Sequence, residues 1–170
     1  MTAALAARSQ VPASGVVPTL VLGLGNPLLT DDGVGLRVIE HLRAQLAGCS
    51  NVQLEEDYCG GLRLMERMIG FDRVILVDAI CAGGRPGAVR VLTVQDIATR
   101  HSGSSHDADL RTALTLGRQA GARLPPDENI RIVAIEAAEV LTFGQQCTPA
   151  VRSGISRAAE TVLKLLTAWR

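Results

Sequence analysis

The alternation of apolar runs and helical patterns along the chain is the feature that most constrains its fold. The runs "TLVLGLG" (residues 19–25) and "RVILVDAI" (residues 73–80) are almost continuously apolar. Such runs are typical of strands buried on both faces of a parallel sheet. After the first run, apolar residues recur at helical spacing at Val34, Val38 and Leu42. Strands that alternate with helices in this way predict a three-layer α/β sandwich.

The whole pattern predicts a mostly parallel, five-stranded twisted sheet with helices on both faces. Its strands are expected at residues 19–25, 52–57, 73–80, 88–94 and 130–137. The link between the third and fourth strands is too short for a helical crossover, so the fourth strand is expected to be antiparallel to the third or to lie at an edge. The right-handed crossover rule favours a flavodoxin-like order, with the first strand between the second and third.

The chain is expected to form one domain. Its 170 residues suit a single hydrophobic core. Residues 1–18 are small, polar and interrupted by proline, which predicts a flexible N-terminal extension before a domain at 19–170. Thr148 and Pro149 are typical of the N-cap and first position of a last helix.

Composition excludes several classes of function. Lys+Arg and Asp+Glu both number 17, and a chain without net positive charge is a poor candidate for non-specific nucleic-acid binding. No apolar run approaches the roughly 20 residues of a membrane span. The cysteines are scattered and contain no C-x-x-C pair, which favours reduced thiols in a cytoplasmic protein over a zinc or redox motif. They are Cys49, Cys59, Cys81 and Cys147.

The stretch "GLGNPLLTDDGVG" (residues 23–35) looks like a glycine-rich dinucleotide loop but departs from it chemically. Leu28 occupies the position of the third glycine, and Asp31 and Asp32 stand where a pyrophosphate would bind the helix N-terminus. Two carboxylates there would repel an anion. One of them can cap the following helix, and the loop suits a cation better than a nucleotide.

A second carboxylate site is predicted on the neighbouring strand. Asp78 lies near the carboxyl end of the apolar run 73–80, and a buried aspartate is rare unless it is paired or bound. Asp32 and Asp78 would then meet in the crevice at the carboxyl ends of adjacent strands, where open α/β sheets bind ligands. Two carboxylates so placed share a proton or bind a cation. With an imidazole from His101 or His106, the set would suit nickel or zinc.

Two further acids follow the fifth strand. Glu136 and Glu139 are expected to be solvated, with a position in the same crevice as the alternative.

These segments resemble the hydrogenase maturation endopeptidases, which remove a C-terminal peptide from the precursor of a [NiFe] hydrogenase large subunit. The resemblance covers residues 20–166. It is carried by the opening motif "VLGLGNPLLTDDGVG", the strand "RVILVDAI", the segment "SSH" and the helix start "TPAV".

The resemblance implies an endopeptidase with Asp32, Asp78 and His106 as catalytic and metal-contacting residues. Gly60 and Gly61 would line the substrate cleft. Nickel would arrive bound to the precursor rather than reside in the protease, and the three residues would recognise it and position the cleavage site. The group that activates the water stays open, as does the choice of His101 or His106.

Two other functions remain as alternatives at this stage. One is a non-catalytic nickel- or precursor-binding chaperone on the same fold, and the other is a nucleotide-binding oxidoreductase, which the acidic loop disfavours. The protein is expected to be a cytoplasmic monomer.

Overall fold

The computed structural model describes residues 17–58, 60–98 and 107–169, which form an α/β sandwich around one five-stranded sheet. The predicted fold class is confirmed. The elements are β1 (Thr19–Leu24), α1 (Val34–Leu46), β2 (Val52–Asp57), α2 (Gly61–Met68), β3 (Arg73–Ile80), β4 (Val89–Leu92), α3 (Val94–Ala98), α4 (Asp107–Gln119), a 3₁₀ turn (Asp127–Asn129), β5 (Ile130–Glu136) and α5 (Pro149–Ala168).

The strand order is β2-β1-β3-β5-β4, so β1 lies between β2 and β3 as predicted. Strands β2, β1, β3 and β5 are parallel, and β4 is antiparallel to β5. The edge position predicted for the fourth strand is therefore correct, but its neighbour is β5 rather than β3. Burial explains this arrangement, because β3 and β5 are buried along almost their whole length whereas β4 is half-exposed and tolerates an edge.

Helices cover both faces of the sheet. Alternate residues of β1 point to opposite sides, with Leu20 and Leu22 in one core cluster and Val21 in the other. The first cluster packs beneath α2 and α4, and the second beneath α1 and α5. No helix in the described ranges is long and apolar enough to cross a membrane.

The observed bounds of three strands differ from the predicted ones: β1 and β5 each end one residue earlier, and β4 spans Val89–Leu92 instead of residues 88–94. Strand β4 ends at Leu92, because the buried Val94 begins the short helix α3 rather than extending the strand. The N-terminal extension was predicted for residues 1–18, of which 1–16 lie outside the described residues. Pro18 is tied to the domain, since its carbonyl accepts hydrogen bonds from the amides of Asp72 and Arg73.

The glycines of the opening motif allow α1 to pack closely on the sheet. A Cβ added to Gly35 would lie 2.3 Å from the carbonyl oxygens of Leu24 and Val77, and one added to Gly23 would lie 2.5 Å from the carbonyl oxygen of Gly35. Contacts this short are sterically forbidden to any larger residue. The motif is therefore explained by helix–strand packing at the carboxyl ends of β1 and β3, without a nucleotide.

Candidate active site

Acidic side chains mark the carboxyl ends of four parallel strands. Asp57 ends β2, Asp78 lies near the end of β3, Glu136 ends β5, and Asp32 lies in the loop that follows β1. This edge is where open α/β sheets bind their ligands. A reaction centre is therefore expected at this edge.

The structure places Asp32 against the end of β1. Its Oδ2 accepts a hydrogen bond from the backbone amide of Asn26 at 2.7 Å. Its own carbonyl oxygen packs on Gly25, where an added Cβ would lie only 1.8 Å away and φ is +131°. The hydrogen bond from Asn26 holds the carboxylate in a fixed position. Because Asp32 is only partly buried, its side chain still reaches solvent.

Asp78 lies on the neighbouring strand and is 3% exposed. Its Oδ1 accepts a hydrogen bond of 2.8 Å from the amide of Ala79. β1 and β3 pair directly, with Gly23 opposite Val77, so Asp32 and Asp78 belong to the carboxyl ends of two hydrogen-bonded strands. The predicted adjacency of the two strands is confirmed, and the joint action of the two carboxylates stays a prediction.

Asp31 has a different role from its neighbour. Its side chain is fully buried and accepts hydrogen bonds from the amides of Ala138, Glu139 and Thr148 at 3.0, 3.0 and 2.7 Å. The Thr148 hydroxyl donates a fourth bond at 3.0 Å. Three amides and a hydroxyl together compensate the cost of burying a carboxylate. Asp31 thus fixes the loop between β5 and α5 (residues 137–148) against the loop after β1.

The prediction that Asp31 or Asp32 caps α1 is wrong. Gly33 occupies the N-cap position, and no side chain caps the helix. Both carboxylates are already engaged, Asp31 with the β5–α5 loop and Asp32 with Asn26. Thr148 does occupy the N-cap of α5 as predicted, although its hydroxyl donates to Asp31 instead of capping the helix.

Gly60 and Gly61 lie at the same edge of the sheet, after β2. Gly60 is the N-cap of α2, and Gly61 begins that helix with φ of +58°, in the left-handed region that favours glycine. The β2 end is joined to the β1 end through the amide of Gly25, which donates to the Asp57 carbonyl at 3.2 Å. The two glycines therefore border the candidate site, and their contact with a substrate stays a prediction.

The preferred prediction that Glu136 is solvated is wrong. Its side chain is buried, accepts a hydrogen bond from the amide of Ala82 at 2.7 Å, and forms a salt bridge of 3.0 Å with Arg90. Glu136 thereby fixes the start of the β3–β4 loop beside the site. The same signal that singled out Asp78, an acid at the end of an apolar strand, also applied to Glu136.

Glu139 is partly exposed and stabilises a turn. The amides of Leu141 and Thr142 donate to its Oε1 at 2.7 and 3.1 Å, and these bonds lower the pKa of the carboxyl group. Its role is to shape the β5–α5 loop.

Cys81 follows β3 and exposes its thiol close to the candidate site. Partial desolvation raises the pKa of this thiol, and the negative charges of Glu136 and Asp32 raise it further. At neutral pH the group is therefore mostly the protonated, weakly nucleophilic thiol. The sequence analysis does not predict Cys81 at this site, although Cys81 follows Asp78 by only three residues.

His106, the predicted imidazole ligand, lies outside the described residues, as do His101 and Cys59. Within residues 17–58, 60–98 and 107–169, no three His, Cys, Asp or Glu side chains are grouped closely enough to hold a metal ion. The metal site predicted on Asp32 and Asp78 would thus need a further donor from outside the described residues, and it stays a prediction.

The different roles of the two adjacent aspartates predict different effects on stability. We expect Asp31→Asn to lower the free energy of unfolding by about 3 kcal/mol, because an amide turns its own NH₂ toward buried donors. Asp32→Asn should cost less than about 1 kcal/mol, since Asp32 is partly exposed. Urea unfolding of both variants provides the measurement, and equal losses would contradict the assignment.

The position of Asp32 beside Cys81 can be tested through thiol chemistry. Removing the negative charge in Asp32→Asn should lower the pKa of Cys81 and speed its alkylation by iodoacetamide at pH 7.5 by about two- to fivefold. Peptide mass spectrometry separates Cys81 from the other thiols, and Glu160→Gln, an exposed acid on α5, is the matched control. An unchanged rate at Cys81 in Asp32→Asn would mean that the two groups lie further apart.

Comparison with known proteins assigns the chain to a family. The family model described as HycI, hydrogenase maturation protease, matches residues 36–165. The hydrogenase expression/formation protein HupD of Thiocapsa roseopersicina is 29% identical over 151 residues, which span 86% of this chain and 66% of that protein.

Several solved structures share the fold, among them the following two. The hydrogenase maturating endopeptidase HybD from Escherichia coli superposes with a TM-score of 0.74 and 27% identity, covering 89% of this chain and 93% of that one. The [NiFe] hydrogenase maturation protease HybD from Thermococcus kodakarensis superposes with a TM-score of 0.67 and 26% identity, covering 87% of this chain and 98% of that one. Since the family model matches most of the chain, from within α1 into α5, the protein belongs to the hydrogenase maturation protease family and is a peptidase.

Proposed function

We propose that the protein is an endopeptidase that removes the C-terminal peptide from the nickel-loaded precursor of a [NiFe] hydrogenase large subunit. The observation that carries the proposal is the position of Asp32 and Asp78 at the carboxyl ends of two paired strands, in a chain of this family. One of the similar structures is described as a [NiFe] hydrogenase maturation protease, which supports nickel as a feature of the substrate.

Asp32 and Asp78 are oriented before any substrate arrives. The amide of Asn26 holds one carboxylate and the amide of Ala79 holds the other, so little side-chain entropy is lost when a cation approaches. Two carboxylates and an imidazole, here His106, form a donor set that suits a borderline metal such as nickel. The nickel belongs to the substrate, and these residues recognise it and fix the scissile bond beside the crevice.

Hydrolysis adds water across the peptide bond. The water oxygen bonds to the carbonyl carbon, the C–N bond breaks, and the amine leaves with a proton. A carboxylate within hydrogen-bond reach of that water can accept its proton. Attack by Cys81 is disfavoured, because partial desolvation and the neighbouring acids raise the pKa of its thiol and keep it protonated at neutral pH.

This arrangement makes cleavage depend on the metal content of the precursor. Without nickel, the substrate offers the carboxylates of Asp32 and Asp78 no cation that would hold the scissile bond in place. With nickel bound, the positive charge brings the cleavage site to the carboxylates. A nickel-binding chaperone on the same fold is the alternative, and membership of a protease family disfavours it.

The test is the intact mass of a large-subunit precursor, with and without nickel, after incubation with the protein. We expect loss of a C-terminal peptide only from the nickel-loaded precursor. Asp32→Asn, Asp78→Asn and His106→Ala should each lower the rate at least about 100-fold, the order of magnitude typical of lost catalytic or positioning groups. The cleavage rate of His101→Ala, compared with that of His106→Ala, shows which of the two histidines contacts the nickel.

Two matched controls accompany these variants. Glu40→Gln removes an exposed acid from α1, and His41→Ala removes an exposed imidazole from the same helix. Both should cut at the wild-type rate. Efficient cutting of nickel-free precursor would contradict the metal dependence, and nickel-dependent binding without any change in mass would favour the chaperone.

A further inference from the structure

Three large apolar side chains stand in solvent on the loops after β1 and after β5. Leu28 is 55% exposed, Leu141 is 83% exposed and Phe143 is 80% exposed. The chain has only four aromatic residues, and one of them, Phe143, lies here outside the core. We call these three residues the apolar lip. Adjacent exposed apolar residues of this size are typical of interaction surfaces.

The backbone that carries the apolar lip is held by many hydrogen bonds. Glu139 accepts from the amide of Leu141, and the Leu28 carbonyl accepts from the amide of Gly144 at 3.0 Å. Leu29 and Phe143 form an antiparallel bridge between the two loops. The lip therefore presents apolar side chains from a fixed backbone, which reduces the entropy lost when a partner binds.

The apolar lip borders the Asp32 site. The amide of Leu28 donates to the Asn26 side chain at 3.0 Å, and the amide of Asn26 donates to the Asp32 carboxylate. Asp31 holds the other half of the lip in place through the amides of Ala138 and Glu139. A polypeptide that reaches Asp32 therefore passes next to the lip.

We propose that the apolar lip binds apolar side chains of the precursor polypeptide next to its scissile bond. The inference rests on the proposed function and adds a second recognition element, which binds side chains of the precursor rather than its nickel. Docking there would align the chain before cleavage. A second copy of this protein is a poorer occupant, because a dimer formed through the lip would cover the adjacent Asp32 carboxylate.

The test compares two double variants in cleavage of the nickel-loaded precursor. Leu141→Ser/Phe143→Ser removes most of the lip, whereas Val91→Ser/Leu116→Ser removes two other exposed apolar side chains, 44% and 48% exposed, from β4 and α4. We expect the lip variant to raise KM by about tenfold or more with kcat within about twofold, as for lost ground-state binding. The control pair should leave both constants unchanged.

Binding of the precursor, measured by biolayer interferometry, separates this proposal from the proposed function. If the wild type binds the precursor but does not cut it, the proposed function fails. Weaker binding of the precursor by the lip variant, but not by the control pair, would still support a role of the lip in binding. Equal KM and equal affinity for the two double variants would overturn the proposal. The proposal would also be overturned if sedimentation velocity showed that the wild type is a dimer and the lip variant a monomer.

Discussion

The buried carboxylate of Asp31 is the interaction on which the geometry of the candidate site depends. It joins the loop after β1 to the loop before α5 through three amides and one hydroxyl. A buried charge with four donors is stable only while all of them stay in place. The carboxyl edge of the sheet, where loops would otherwise move independently, is thus held as one unit.

That anchor gives the two adjacent aspartates separate roles. Asp31 turns inward and organises backbone, while Asp32 stays partly exposed beside Asn26 and can meet a substrate. The other acids at this edge divide in the same way. Asp57 and Glu136 form salt bridges with Arg67 and Arg90 and shape the surrounding loops. An acidic edge therefore combines structural carboxylates with those proposed to act on the substrate.

Much of the fold was predictable because its determinants are local in sequence. Continuous apolar runs mark the central strands, and β2 and β3 begin and end where the pattern placed them. The helix α3 escaped prediction because Val94 continues the apolar pattern of β4. The partner of β4 also escaped, since strand pairing depends on contacts between distant segments.

The site was predictable in part. Asp32 and Asp78 stand out because acids are unexpected at a loop glycine cluster and at the end of an apolar strand. The role of Asp31 was not accessible, because its partners lie 107 to 117 residues further along the chain. Glu136 was misjudged as solvated, since its salt bridge to Arg90 likewise depends on the folded sheet. The histidine prediction falls outside the described residues.

Asp32 and Asp78 are proposed to recognise nickel carried by the precursor. The most direct measurement is the affinity of the precursor, with and without nickel, for the wild type and for Asp32→Asn/Asp78→Asn. We expect nickel to strengthen binding to the wild type by at least about tenfold and to the variant by no more than about twofold. An equal nickel effect on a folded double variant would contradict the account.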